Sequence, residues 1–228
     1  MTPYEGSLTK KLTQAIELRA SLTKWIAVSG NDVPPEEPVL QALIQRIEAI
    51  NTQFDEQWQL YWELSEKRRL ITQDSRTGIK PQNERLWEEI GHQFKGGTVG
   101  NDLIKVLYLK IHHLQLPRFP ANRRKPLLYK DLRLHEDSYA LLGQYFCWLL
   151  DLLQIIGFTP LSQAYCLKEL REQVRQFTRL TQEVTQEAET LRNLQLTQHQ
   201  LYRQLNQVMS AARGRLLTYK REAKRVID

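Results

Sequence analysis

The chain has little that would turn it or crosslink it. Ten glycines and nine prolines in 228 residues are too few for the many tight turns of a sheet protein. They fall mostly between segments of helical apolar periodicity. The two cysteines, Cys147 and Cys166, lie far apart and exclude a disulfide framework. A reduced cytoplasmic setting explains them most simply. The start, MTPYEGSLTKK, has no apolar run of the kind a secretory signal needs. No internal repeat of fixed period and no low-complexity segment stands out.

Catalytic and metal-binding patterns are also missing. The five histidines, His92, His112, His113, His135 and His199, form no His-x-x-x-His pair, and there is no Cys-x-x-Cys. The neighbours His112 and His113 point about 100° apart on a helix, so they do not chelate together. No Gly-x-Ser-x-Gly elbow occurs. The glycine-rich stretch Lys95–Asn101 opens a helix, where free N–H groups attract anions. It lacks the Gly-Lys-Ser/Thr ending of a P-loop, and no strand precedes it. It reads as a connector, with Asn101 as the N-cap of the next helix. These absences point to a protein that is not an enzyme and needs no cofactor or metal.

What is present is helix. Leu8, Leu12, Ala15, Ile16, Leu22 and Ile26 recur at helical spacing over about 7–28. The Ser29–Asp32 cluster and Pro34, Pro35 and Pro38 end that segment. A second helix is expected over about 36–72. Leu40, Ile47, Phe54 and Tyr61 are seven apart along it, as are Leu43, Ile50, Gln57 and Leu64. Such an a/d stripe seeks a partner helix, in a hairpin with the first helix or in a coiled-coil seam. Trp58, Tyr61 and Trp62 read as core aromatics. After a linker at 73–81, helices are expected over about 82–94 and 102–116. The second of these has Leu103, Val106, Leu107, Ile111 and Leu114 on its apolar face.

The segment 139–158, YALLGQYFCWLLDLLQIIGF, is long enough to cross a bilayer. Asp151 near its middle would cost about 3 kcal/mol there. The expected place is the centre of a bundle, apolar all round, with Asp151 inside and hydrogen-bonded. Thr159-Pro160 reads as an N-cap followed by a proline at N1. From there to the end the only glycine is Gly214, and there is no proline. Leu170, Val174, Phe177, Thr181, Val184, Ala188 and Leu191 step by three and four. The step to Leu194 repeats a three, a stammer that overwinds a coiled coil or marks a break. The stripe resumes through Gln198, Leu201, Leu205, Val208, Ala212, Leu216, Tyr219, Ala223 and Val226. Unbroken, a helix over 160–226 would be on the order of 100 Å long. Such a helix either projects as a coiled coil or bends near Leu191–Leu194 and packs back up to about Ala211, and the second is the expectation.

The positive charge is clustered. The net charge of +6 comes wholly from 117–135, net +5, and 210–228, net +4, while the rest of the chain is slightly acidic. Arg118, Arg123, Arg124 and Lys125, with Phe119 and Tyr129 among them, suit phosphate contact and base stacking in a proline-bounded loop, 117–130. In the tail, Arg213, Lys220 and Lys224 share one helical face and Arg221 and Arg225 another, with Arg215 between. Arg192-Asn193 followed by His199 resembles the Arg-x4–6-His ribonuclease signature of HEPN-type helical domains. That resemblance covers the octapeptide alone. It would imply phosphate binding and acid–base work by Arg192 and His199 on one face.

The sequence therefore predicts an all-α fold, a bundle of five or six helices with a long, coiled-coil-like C-terminal helix. An N-terminal hairpin over 1–75 and a bundle over 76–228 are the expected parts, if the whole is not one continuous domain. The expected role is a non-enzymatic interaction or accessory subunit. It would bind a protein partner, or further copies of itself, through its long helices. The alternative is a nucleic-acid-binding accessory subunit of a nucleoprotein assembly, using the basic loop and tail. No membrane role is expected.

Overall fold

The computed structural model describes residues 3–29, 34–93, 99–117, 129–161 and 166–227, with side chains over most of them. Six α-helices and no strand occur among the described residues: α1 (Pro3–Ser29), α2 (Glu36–Gln73), α3 (Ile79–Gln93), α4 (Val99–His113), α5 (Tyr129–Ile155) and α6 (Leu167–Ile227). The protein is all-α. No helix among the described residues is long and apolar enough to cross a membrane.

The chain divides into two compact units, 1–57 with 191–228, and 58–190. The first has a core of three helices. Ala15, Leu18 and Leu22 of α1 meet Leu40, Leu43 and Ile47 of α2 and Leu201, Leu205 and Met209 of α6. Trp25 stacks on Tyr219 at 4.0 Å, and Arg19 pairs with Glu37 at 2.9 Å. The apolar stripe on α2 is turned inward as its spacing requires: Leu40, Ile47 and Tyr61 are buried and Phe54 is half-buried. On α1, Leu18 is inside and Ile16 is 45% exposed, the reverse of what the apolar spacing suggested.

The second unit packs α3 to α5 with the near half of α6. Leu86 and Ile90, Ile104 and Ile111, Phe146 and Leu149, and Val174 and Phe177 supply its core from the four helices in turn. On α4 the buried pair is Ile104 and Ile111, seven apart. Leu107, Ile111 and Leu114 of the expected face pack inward, while Leu103 and Val106 are 53% and 48% exposed and Ile104 is buried in their place. Asn101 lies in the first turn of α4, which begins at Val99, and so is not the residue before the helix. Lys95 to Thr98 lie outside the described residues.

Two helix ends differ from expectation. Helix α5 starts ten residues before Tyr139 and closes at Gly157, whose φ of 70° suits a residue without a side chain. Phe158 N donates to Leu153 O at 2.9 Å, the six-to-one bond of a Schellman end. Thr159-Pro160 does not start α6. It is tied back to α3, where Gln93 Nε2 donates to Thr159 O at 2.6 Å and Leu161 N donates to Glu89 at 2.9 Å. Helix α6 starts at Leu167, and Glu169 reaches back to accept from Cys166 N at 3.2 Å, the return half of a capping box. It then runs unbroken through Leu191–Leu194. The stammer coincides with the residue at which α6 passes from one unit to the other.

Candidate docking trough

Helix α5 is not apolar all round in its setting. Its face bearing Ala140, Leu141, Gln144, Cys147, Trp148 and Asp151 is exposed. Leu141 and Trp148 are 39% and 47% exposed. Asp151 lies at the surface, not inside, and accepts from Arg171 at 2.8 Å across to α6. The residue is polar because its position on the helix points outward, on the face that also bears Gln144, which the leucines around it concealed.

Between α5 and α6 runs a trough of about 610 Å³. Ala140, Gly143, Cys147 and Trp148 line it from α5, and Phe177 and Thr181 from α6. Gly143 shapes the floor. A Cβ there would lie 3.1 Å from the Phe177 ring and 3.5 Å from Thr178 Oγ1, so the glycine lets the two helices approach. Thr181 is 5% exposed, and its hydroxyl has no hydrogen-bond partner among the described residues. Sharing Cys147, Thr178 and Gln182 with this trough is a second hollow of about 350 Å³, lined also by Arg171, Arg175 and Arg179 against the single acid Asp151.

Behind the trough lies a buried ion pair. Arg68 is fully buried and Glu136 nearly so. The Arg68 guanidinium donates through Nη1 to Glu136 Oε2 and through Nη2 to Oε1 at 3.1 Å. The Tyr61 hydroxyl donates to Oε1 at 3.3 Å, and Arg68 lies 3.9 Å over the Tyr139 ring. The Thr185 hydroxyl stands 3.4 Å from Glu136 but is closer to Thr181 O, at 2.8 Å. Burial first, and the Glu136 charge second, hold the Tyr61 hydroxyl well above the usual tyrosine range. Burial likewise raises Tyr139. Three donors occupy the Glu136 carboxylate, which leaves it no reach toward a substrate. This group ties α2 to α5. The sequence reading missed it, although a signal existed: the α2 stripe through Tyr61 continues to Ser65, Arg68 and Thr72, all buried, so a charge sits on a core register.

Of the basic residues singled out by charge, Arg118, Arg123, Arg124 and Lys125 lie outside the described residues. Arg213, Arg215, Lys220 and Arg221 are exposed on α6. Arg215 is held by Glu36 at 2.6 Å. The side chains of Lys224 and Arg225 are not among those described. Arg192 is half-buried and His199 exposed on α6, and both have contacts of their own. Glu89 and His92 are three apart on α3, but no group of three His, Cys, Asp or Glu side chains suited to a metal lies together among the described residues.

No protein-family model, curated protein or solved structure matches the chain. The site must therefore be read from its own chemistry. An apolar trough between two helices, with arginines at one end and Glu189 at the other, can receive the apolar stripe of another helix.

Proposed function

We propose that the protein is a non-enzymatic helical interaction subunit that binds a partner protein through its long helices, with the α5–α6 trough as the docking face. One observation carries this reading. Helix α5, which carries most of the apolar run 139–158, leaves Leu141 and Trp148 exposed beside an open trough. A protein that works alone rarely leaves an apolar row beside a groove uncovered.

Purification of the tagged full-length chain from its own source, wild type beside Trp148→Glu, tests the reading. A protein recovered in stoichiometric amount with wild type should be lost with Trp148→Glu, while the helix content of the two stays equal. Retention of the same protein by Trp148→Glu would sink it.

The nucleic-acid reading rests on exposed Arg213, Lys220 and Arg221 along α6 together with the clustered charge of 117–135. It expects oligonucleotide binding whose log–log salt slope steepens by about 0.9 for each phosphate neutralised on duplex. Replacing Arg213, Lys220 and Arg221 by Glu should flatten that slope. Equal binding by wild type and variant, or none, removes this reading.

A further inference from the structure

We infer that the occupant of the α5–α6 trough is an acidic amphipathic helix, whose apolar residues enter the trough and whose carboxylates reach Arg175 and Arg179. The inference rests on the docking reading above and names the partner's chemistry. Three observations support it. The trough and the smaller hollow share Cys147, Thr178 and Gln182 and so form one channel along α6. From Arg171 to Glu189, both of which line that channel, is eighteen residues of helix, about 27 Å. Five turns of a partner helix fill that length, with its carboxylates at the arginine end and away from Glu189.

The second observation is charge. The smaller hollow has three arginines among its lining residues and one acid, and that acid, Asp151, is already bonded to Arg171. Arg175 and Arg179 face Glu172 and Glu183 of their own helix at 3.6 and 3.3 Å, with the arginine side chains 78% and 83% exposed. Surface pairs of this kind contribute little. Both guanidiniums are therefore free to turn to a partner's carboxylates, which they grip in bidentate fashion. A basic helix would find no free acid in the hollow's lining, whose one carboxylate, Asp151, is held by Arg171.

The third observation is the unpartnered Thr181 hydroxyl, which is buried but lines the channel. A buried hydroxyl without a partner is costly. A polar side chain in the apolar stripe of the incoming helix would satisfy it. It would also set that helix's register, as single polar residues do in helix seams.

The test uses the full chain and two synthetic 18-residue helical peptides. Both have leucines at i, i+3, i+4 and i+7 repeats. One has glutamate at every flanking position and its twin has lysine. Fluorescence anisotropy of the labelled peptides is read against protein concentration. The acidic peptide should bind at least tenfold more tightly than its twin, and the difference should shrink as salt rises. Arg175→Glu with Arg179→Glu should abolish or reverse the preference. Ala140→Trp, a change at an exposed trough residue, should remove binding of both peptides without loss of helix. Equal binding of the two peptides, preference for lysine, binding of neither, or acidic preference that survives both sets of substitutions would overturn the inference. So would saturable binding of decanoate blocked by Ala140→Trp in the absence of peptide binding. Should the peptides show no acidic preference while a Trp148-dependent protein is still recovered from the source, the docking reading stands and this inference alone falls.

Discussion

At the scale of single residues, burial separates two ion pairs that look alike on paper. Arg68–Glu136 is inside the fold, and Arg171–Asp151 is at its surface. Arg68→Met leaves the Glu136 charge buried beside Tyr61 with its main partner gone. It should destabilise the protein by about 3–5 kcal/mol, read from urea unfolding. Adding Glu136→Leu should restore much of that loss, because an apolar pair of similar volume replaces a pair whose desolvation is costly. Asp151→Leu should move stability by no more than about 0.5 kcal/mol. A large effect there would mean that the Arg171 bond is worth more than a surface pair.

A second residue makes stability depend on pH. Asp74, just after α2, accepts through Oδ1 from Arg76 N at 3.0 Å and from Thr77 N and Oγ1 at 2.8 Å. The Thr77 bonds, backbone first, with that from Arg76 N, hold its carboxyl below the usual range. In the unfolded chain the carboxyl returns to its ordinary value. Asp74 therefore stabilises the fold above the ordinary carboxylate range, and the benefit is lost as pH falls through the lower, folded value. The Tm of Asp74→Ala should lie below wild type at neutral pH, and the gap should narrow on acidification. A gap that is constant with pH would show that charge plays no part in this turn.

At the scale of elements, periodicity made much of the fold legible. The α6 positions from Leu170 to Leu191, stepped by three and four, are all buried, and of the α2 stripe Leu40, Leu43, Ile47 and Tyr61 are buried and the rest half-buried. Long amphipathic helices announce their inner face because every turn repeats the same evidence. Where each turn is apolar, or few turns exist, the evidence fails. Helix α5 is apolar on nearly every side, so composition concealed which face stayed exposed. Helix α4 is short, and in its first half Ile104 is buried where Leu103 and Val106 were expected. Of the candidate site, Trp148 and Gly143 lay in a segment read as wholly buried. The pairing of Arg68 with Glu136 joins residues 68 apart, a distance that local pattern does not reach.

Helical glycines divide in the same way by what surrounds them. A Cβ at Gly214 of α6 or Gly91 of α3 would meet nothing within 4 Å. Alanine there should stabilise the protein by about 0.5–1 kcal/mol, since the unfolded chain loses freedom and nothing is displaced. At Gly143 the same change presses on Phe177 at 3.1 Å and should be destabilising. It should also narrow the trough. Thermal melts of the three variants check the sign at each position.

At the scale of the whole molecule, the far half of α6 belongs to the core of the N-terminal helices. Leu201, Tyr202, Leu205, Met209 and Ala212 pack with Leu22, Leu40 and Ile47 in one cluster. Each such side chain contributes roughly 1.5–3 kcal/mol when fully buried. Without them α1 and the first half of α2 would have only each other, and two isolated helices bury too little apolar surface to offset the entropy of ordering. The other unit, 58–190, has the α3–α6 core and the Arg68–Glu136 pair within its own bounds. A chain ending at Thr190 should therefore lose amide protection throughout α1 and over 36–57 in hydrogen exchange. It should keep protection in α3, α5 and the near half of α6. Protection of α1 equal to that of the full chain would mean that α1 and α2 hold together unaided, and that the α6 side chains in their cluster contribute little to it. Protection lost evenly over every helix would mean that the unit 58–190 has no stability of its own. The cores as they stand predict the first pattern, because each set of buried apolar residues draws on its own stretch of α6, on either side of Leu191.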